Sequence, residues 1–471
     1  MHIHPRFMRG RAFGTAVLVA ATLTVAPTGP VAAAGPTPGR LTGVLPDGAE
    51  WVIDVPPAFN GTLLLYSHGL TFPGQDNPAV DAPDPATAGA LLDRGYALAG
   101  SSFGTGFAVQ EALRDQSELL EVFAGRIRPP ARTIAWGTSL GGLISGELLE
   151  RNPDRISGAV PMCGLMAGGA GVFNTYLDLM FVVRTLIAPS IVLTGDPDPF
   201  STVGTVLAAL AQAQETPHGR ARIALAAAMA DMPGWAGAGS PRPDPHDYET
   251  QELGQFQALQ ELVVILAVAV RSELEQRAGG NVSWNTGVNY TRQLNRSVDR
   301  AEVLALYRKS GIDVVEDLRQ LKQAPRIAAD ATAANYLRDA ASLTGQLHER
   351  PVLTLHTAGD TAVPPENERA YADIVVRSGQ RPALRQVFIE RAGHCTFTPA
   401  EMVTGIQVLD ERLVTGRFPS VRPAALRERA ASLGPELNAV VDNDTGEILP
   451  IPAGFDHYRP GGFLRVDRFR R

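Results

Sequence analysis

The sequence predicts an α/β fold, a mostly parallel, doubly wound sheet interrupted by a large helical insertion. Three observations lead there. Short apolar runs rich in strand formers alternate with helical patterns over residues 50–163, and again over 351–413. Several of these runs end in polar residues, at the strand ends where open parallel sheets bind ligands. Between the two sheet segments the chain is Ala-rich and helical, with no strand alternation of comparable strength.

The elements follow in order from local pattern. Residues 1–34 read as a signal peptide: Arg6, Arg9 and Arg11 form a basic start, Ala12 to Val25 is an apolar stretch, and Ala32-Ala33-Ala34 is a small-residue cleavage site. Cleavage near Ala34 predicts a secreted protein. The first part of the sheet domain covers 35–165. It opens with a linker and a strand at Glu50 to Val55. A central strand, Gly61 to Gly69, follows and ends in His68-Gly69-Leu70. Asp84 to Arg94 is a helix, Tyr96 to Ser101 a strand, and Val109 to Ile127 a helix. The strand Thr133 to Trp136 enters Gly137-Thr138-Ser139-Leu140-Gly141, and a helix runs from Leu140 to Arg151. Ile156 to Met162 is another buried strand, ending at Cys163.

Residues 166–347 form a helical cap, with helices at Val203 to Ala213, Gly219 to Ala230, Thr250 to Gln276, Val298 to Lys309 and Ile312 to Lys322. Leu262 to Val270 is strongly apolar but too short to span a bilayer, which needs ~20 such residues. No membrane span is expected. The sheet resumes over 348–418 with the strand Pro351 to His356, the turn Gly359-Asp360-Thr361, and a helix from Glu366 to Ser378. A strand from Leu384 to Ile389 leads into Ala392-Gly393-His394-Cys395, and a helix from Pro399 to Leu413 closes the unit. Residues 419–471 add a helix near Ala424 to Ser432 and a hairpin at Asp442-Asn443-Asp444-Thr445-Gly446, and carry no assigned chemistry.

With 471 residues, 45% hydrophobic, the chain can bury a large core. A net charge of −7 and the absence of a basic run argue against nucleic acid as a partner. Two cysteines, Cys163 and Cys395, suggest one disulfide in an oxidising compartment, the alternative being two buried thiols. Both end strands near one rim, so a bridge would anchor the loop that carries His394. His218, His246, His348 and His457 show no metal-ligand spacing, and no metal or cofactor is implied.

Three candidates for chemistry sit at strand ends, in the chain order Ser139, Asp360, His394. Strand, sharp turn and helix around Ser139 would expose its Oγ at a helix N-terminus. Gly137 and Gly141 leave room for that turn. A serine hydroxyl becomes a nucleophile only when a base takes its proton. His394 can do so and then return the proton to the leaving group, and Asp360 would hold the imidazole tautomer. Asp196 and Asp198 compete for the acid role, and His356 for the base role. The latter sits inside a strand and reads as a packed residue.

YSHGL around His68, GTSLGG around Ser139, GDTAVP around Asp360 and RAGHC around His394 together resemble the α/β-hydrolase superfamily over about residues 45–165 and 348–415. The resemblance implies that fold, with the cap at a usual insertion point. It implies a catalytic triad of Ser139, Asp360 and His394, and an oxyanion hole from the backbone N–H groups of Leu140 and Leu70. A His-Cys pair like His394-Cys395 occurs in tannase and feruloyl esterase relatives. There the partner cysteine directly precedes the nucleophile, a position held here by Thr138. The expected function is a secreted serine hydrolase, foremost a carboxylic ester hydrolase acting on a small-molecule or polymeric ester. A peptidase or amidase of the same fold and a non-catalytic binding protein are the rival readings.

Overall fold

The computed structural model describes residues 39–441 and 448–466. The predicted signal peptide therefore lies outside the described residues. A nine-stranded sheet forms the centre. Its strands are β1 (Gly39–Val44), β2 (Glu50–Val55), β3 (Thr62–Ser67), β4 (Ala97–Ser101), β5 (Arg132–Thr138), β6 (Gly158–Met162), β7 (Val352–Gly359), β8 (Leu384–Ala392) and, near the C-terminus, β11 (Phe455–Asp456). The spatial order is β1-β2-β4-β3-β5-β6-β7-β8-β11. Pairings from β4 through β8 are parallel, and the edges β1-β2, β2-β4 and β8-β11 are antiparallel. This is the α/β-hydrolase fold that the motifs implied. Strands β3, β6 and β7 are buried along their whole length, because helices cover both faces; hence their unbroken apolar runs.

The covering helices in the first half are α1 (Pro85–Leu92), α2 (Val109–Arg126) and α3 (Leu140–Arg151). Between β6 and β7 the chain is helical: α4 (Gly168–Leu186), α5 (Pro199–Gln214), α6 (Pro217–Ala228), α7 (Tyr248–Ala258), α8 (Arg271–Ala278), α9 (Tyr290–Arg296), α10 (Arg300–Ser310), α11 (Val314–Gln323) and α12 (Ala331–Ala340). After β7 come α13 (Glu366–Arg377), α14 (Pro399–Thr415) and α15 (Pro423–Ala431).

Several expectations are corrected. The single helix expected from Thr250 to Gln276 is broken: two π-helical segments, Leu259–Val263 and Leu266–Val270, join α7 to α8, and its two halves meet at 46°. Among the described residues no single helix is long and apolar enough to cross a membrane. Helix α4 was not expected. It starts Gly-Gly-Ala-Gly and is buried on every side from Gly168 to Val183, so its apolar residues follow no amphipathic period. Strand β1 was read as linker because Gly39, Gly43 and exposed polar residues hide its alternation. The C-terminal hairpin pairs β9 (Ala439–Val441) with β10 (Ile448–Pro450); its turn lies outside the described residues. The tail beyond it joins the main sheet through β11, which the sequence did not signal.

Candidate active site

Strand β5 delivers Ser139 to the carboxyl edge of the sheet. Its φ of +56° lies in the left-handed region, where non-glycine residues are uncommon. Two glycines permit the turn. A Cβ on Gly141 would sit 1.9 Å from the carbonyl oxygen of Ser67, and one on Gly137 2.3 Å from the same atom. Helix α3 can therefore start directly against β3, with Ser139 at its N-terminus.

His394 and Asp360 arrive from β8 and β7. His394 Nε2 lies 2.8 Å from Ser139 Oγ. Its Nδ1 lies 2.8 Å and 3.0 Å from the two oxygens of Asp360. Asp360 is fully buried, and its Oδ1 also accepts the N–H groups of Ala362 and Val363. The three side chains picked from the sequence are thus brought together. The competing acid Asp198 instead caps α5 by accepting the N–H of Ser201.

His356 is packed, as expected, and it also backs Asp360. Its Nε2 lies 2.8 Å from the carbonyl of Val363 and 3.6 Å from Asp360 Oδ2, and its Nδ1 faces Glu368. Burial disfavours charge on His356. The hydrogen bond to Glu368 and the charges of Asp360 and Glu368 outweigh burial and hold its pKa above the ordinary value. Tyr176 of α4 donates to the carbonyl of Ala362 and fixes the same loop from the cap side. Neither contact was legible from spacing, since each depends on how β7 and α4 pack.

The His394 loop is held at both ends. Before it, buried Arg391 forms a two-pronged pair with Glu401 at 2.7 and 2.9 Å. Glu401 also completes the capping box of α14 with Thr398. After it, Cys395 is bonded to Cys163, with Cα atoms 5.4 Å apart. The cysteine partner directly follows β6, the strand beside the nucleophile's, while Thr138 shares a hydrogen bond with Tyr66. The bridge touches both reacting side chains' neighbourhoods: Cys163 Sγ accepts from Ser139 N at 3.3 Å, and Cys395 Sγ lies 3.4 Å from His394 Nε2.

Leu70 and Leu140 line the same cavity as Ser139 and His394. Behind them His68 is fixed, stacked on Phe103 at 3.8 Å with both ring nitrogens facing carbonyls of Gly69 and Ser102. Burial lowers its pKa. The cavity is narrow, about 40 Å³. Its other walls are apolar: Phe107, Leu165, Phe173, Tyr176, Leu266 and Val270. The last two stand on the second π-helical segment. The loop bearing Phe107 is tied to α8, because Glu273 accepts the N–H of Phe107 and Arg277 donates to the carbonyl of Thr105.

Comparison with known proteins adds the following. Residues 93–240, which contain Ser139 but neither Asp360 nor His394, match the serine aminopeptidase S33 family. The chain is 28% identical over 411 residues to an o-phthalyl amidase of Xanthobacter agilis, covering 81% of this chain and 88% of that protein. Feruloyl esterase B from Aspergillus oryzae aligns in structure at a TM-score of 0.39 and 14% identity, covering 81% of each chain. Proline iminopeptidase of Mycobacterium smegmatis aligns at 0.33 and 12%, covering 84% of this chain and all of that one.

Proposed function

We propose, from the premise that this chain is a serine hydrolase of the α/β-hydrolase superfamily, that it cleaves carboxylic esters of small aromatic or apolar acids. Ser139 Oγ attacks the carbonyl carbon as His394 takes its proton. Asp360 stabilises the imidazolium, and the N–H groups of Leu70 and Leu140 receive the oxyanion. His394 then protonates the leaving alcohol. Water, activated by the same imidazole, releases the acid from Ser139.

The observation that carries this reading is the apolar, aromatic cavity at the Ser139–His394 contact. Its walls suit an apolar acyl group and offer no side-chain charge for a charged one. Its volume is close to that of one liquid water. The Phe107 loop and the second π-helical segment are the walls built from cap contacts.

A second reading, hydrolysis of amides, draws support from the likeness to the o-phthalyl amidase. The test offers the same aromatic acyl group as an aryl ester, an alkyl ester and an amide. A kcat/KM for the amide above that of the alkyl ester would move the assignment to amidase. Failure of a fluorophosphonate to label Ser139, or equal labelling of Ser139→Ala, would remove both readings.

A further inference from the structure

Asp360 carries a second imidazole on the oxygen that faces His394. Its Oδ2 lies 2.8 Å from Nδ1 of His394 and 3.6 Å from Nε2 of His356. His356 comes from β7 and is fully buried, as are Asp360 and Glu368. Alternate residues of a strand share a face, and Thr354 and His356 both turn to Glu368 of α13. Neither His356 nor Glu368 takes part in the proton transfers between Ser139 and His394.

Each ring nitrogen of His356 faces acceptors. Nε2 lies 2.8 Å from the carbonyl oxygen of Val363, and Nδ1 lies 3.3 Å from Oε1 of Glu368. A carbonyl cannot donate, so Nε2 carries a hydrogen. A bare Nδ1 would set its lone pair against the Glu368 carboxylate, so it needs a hydrogen too unless Glu368 is itself protonated. Thr354 Oγ1 and Gln386 Nε2 both donate to Oε2 of Glu368, an arrangement that suits a carboxylate. An imidazole with two donors is an imidazolium. Burial opposes that charge. The hydrogen bond to Glu368, the charges of Asp360 and Glu368, and the Val363 carbonyl together outweigh burial.

We propose that His356 is a buried imidazolium and a positioning residue for the triad, whose charge acts on His394 across the Asp360 oxygen they share. The proposal rests on the serine-hydrolase reading of Ser139, Asp360 and His394. Two effects follow. The Nε2–H bond to Val363 holds the turn whose own N–H groups, those of Ala362 and Val363, grip Asp360 Oδ1. The positive charge also opposes a second positive charge on His394, so the base stays free of a proton to lower pH. The two nitrogens that meet at Oδ2 are about 6 Å apart at most. At an effective dielectric of about 20, a unit charge at about 6 Å corresponds to about two pH units.

Other titratable groups stand round the pair. The charge of His356 acts on Glu366, which burial raises to about 7. Ionised Glu366 therefore supports the imidazolium chiefly above that pH. Glu366 in turn faces Asp231, after α6, and Asp299, before α10. Tyr371 feels the charge of Glu368, and Tyr176 that of Asp360.

The test combines two measurements on the full chain. Protein with nitrogen-15 histidine is first studied by NMR at pH 7.5, where an ordinary imidazole, of pKa about 6.5, is mostly neutral. One ring should carry hydrogens on both nitrogens and exchange them slowly with water. Its signal should vanish in His356→Gln and move in Glu368→Gln. Aryl-ester kcat/KM is then followed from pH 5 to 9. In His356→Gln the amide can still donate to Val363, but the charge is gone. The acid-side midpoint should rise by about one to two pH units, so turnover at the acid end falls at least about tenfold and the deficit closes as pH rises. Absence of a doubly protonated ring from the unaltered protein would overturn the proposal, even where a variant fails to fold. So would a midpoint that stays put while kcat/KM falls equally at every pH. Failure of a fluorophosphonate to label Ser139 would remove the hydrolase reading itself, and with it any role for His356 in a triad. Labelling with an unmoved midpoint removes the His356 proposal alone.

Discussion

Removing the Cys163–Cys395 bridge should reduce stability and activity together, and for separate reasons. The bridge closes a sequence separation of 232 residues, and the chain-entropy relation for a loop of that length gives about 5.5 kcal/mol at 25 °C. That is an upper figure, because an unfolded chain retains some structure; losses of about 2–5 kcal/mol are usual. Against a typical total of about 5–15 kcal/mol, the loss is large enough to see without ambiguity. The catalytic effect follows from contact. The bridge lies next to Ser139 N on one side and His394 Nε2 on the other. A displacement of about 1 Å in a reacting group can lower the rate by roughly 100-fold. The assay is urea unfolding plus aryl-ester kinetics on three samples: the oxidised protein, the same protein reduced in tris(2-carboxyethyl)phosphine, and Cys163→Ala/Cys395→Ala. The reduced protein keeps both sulfurs, so it separates the bridge from the cavities that alanine leaves. A lowered midpoint and a lowered kcat are expected in both altered samples. If reduction is complete and kcat is unchanged, the bridge does not position His394.

Two other perturbations address single side chains. Asp360→Asn should lower kcat by about 10⁴-fold. The amide would present an N–H to His394 Nδ1 and drive the ring to the tautomer that points a proton at Ser139; a loss under about tenfold would remove Asp360 from the triad. Asp231→Asn should raise stability at alkaline pH. The folded carboxyl, near 8, lies above the ordinary value of 3.8, so the folded state binds more protons and stability falls as pH rises from about 4 to 8. With each unit equal to about 1.4 kcal/mol, the variant should gain a few kcal/mol over the parent at pH 8 and almost nothing at pH 4. Parallel curves of unfolding free energy against pH for the two proteins would refute this.

The sequence by itself determined the parts of this protein that are written locally. An apolar strand, a glycine-flanked serine and a helix leave one conformation open to residues 132–151. The strand-end contexts of Asp360 and His394 are as explicit, and the parallel sheet brings such ends to one edge. Tertiary structure decided what depends on distant chain segments meeting. Parallel pairing of β5 with β6 sets Thr138 opposite Met162, which brings Cys163 beside Ser139 without a cysteine next to it in sequence. The walls of the Ser139 cavity come from α2's leading loop, α4 and the π-helical bend, and a helix buried on all sides gives no period to read. The acids Asp231, Asp299 and Glu366 look like ordinary turn and cap residues when taken one at a time. Only packing of three elements and the C-terminal tail removes them from water, which raises their carboxyl pKa values.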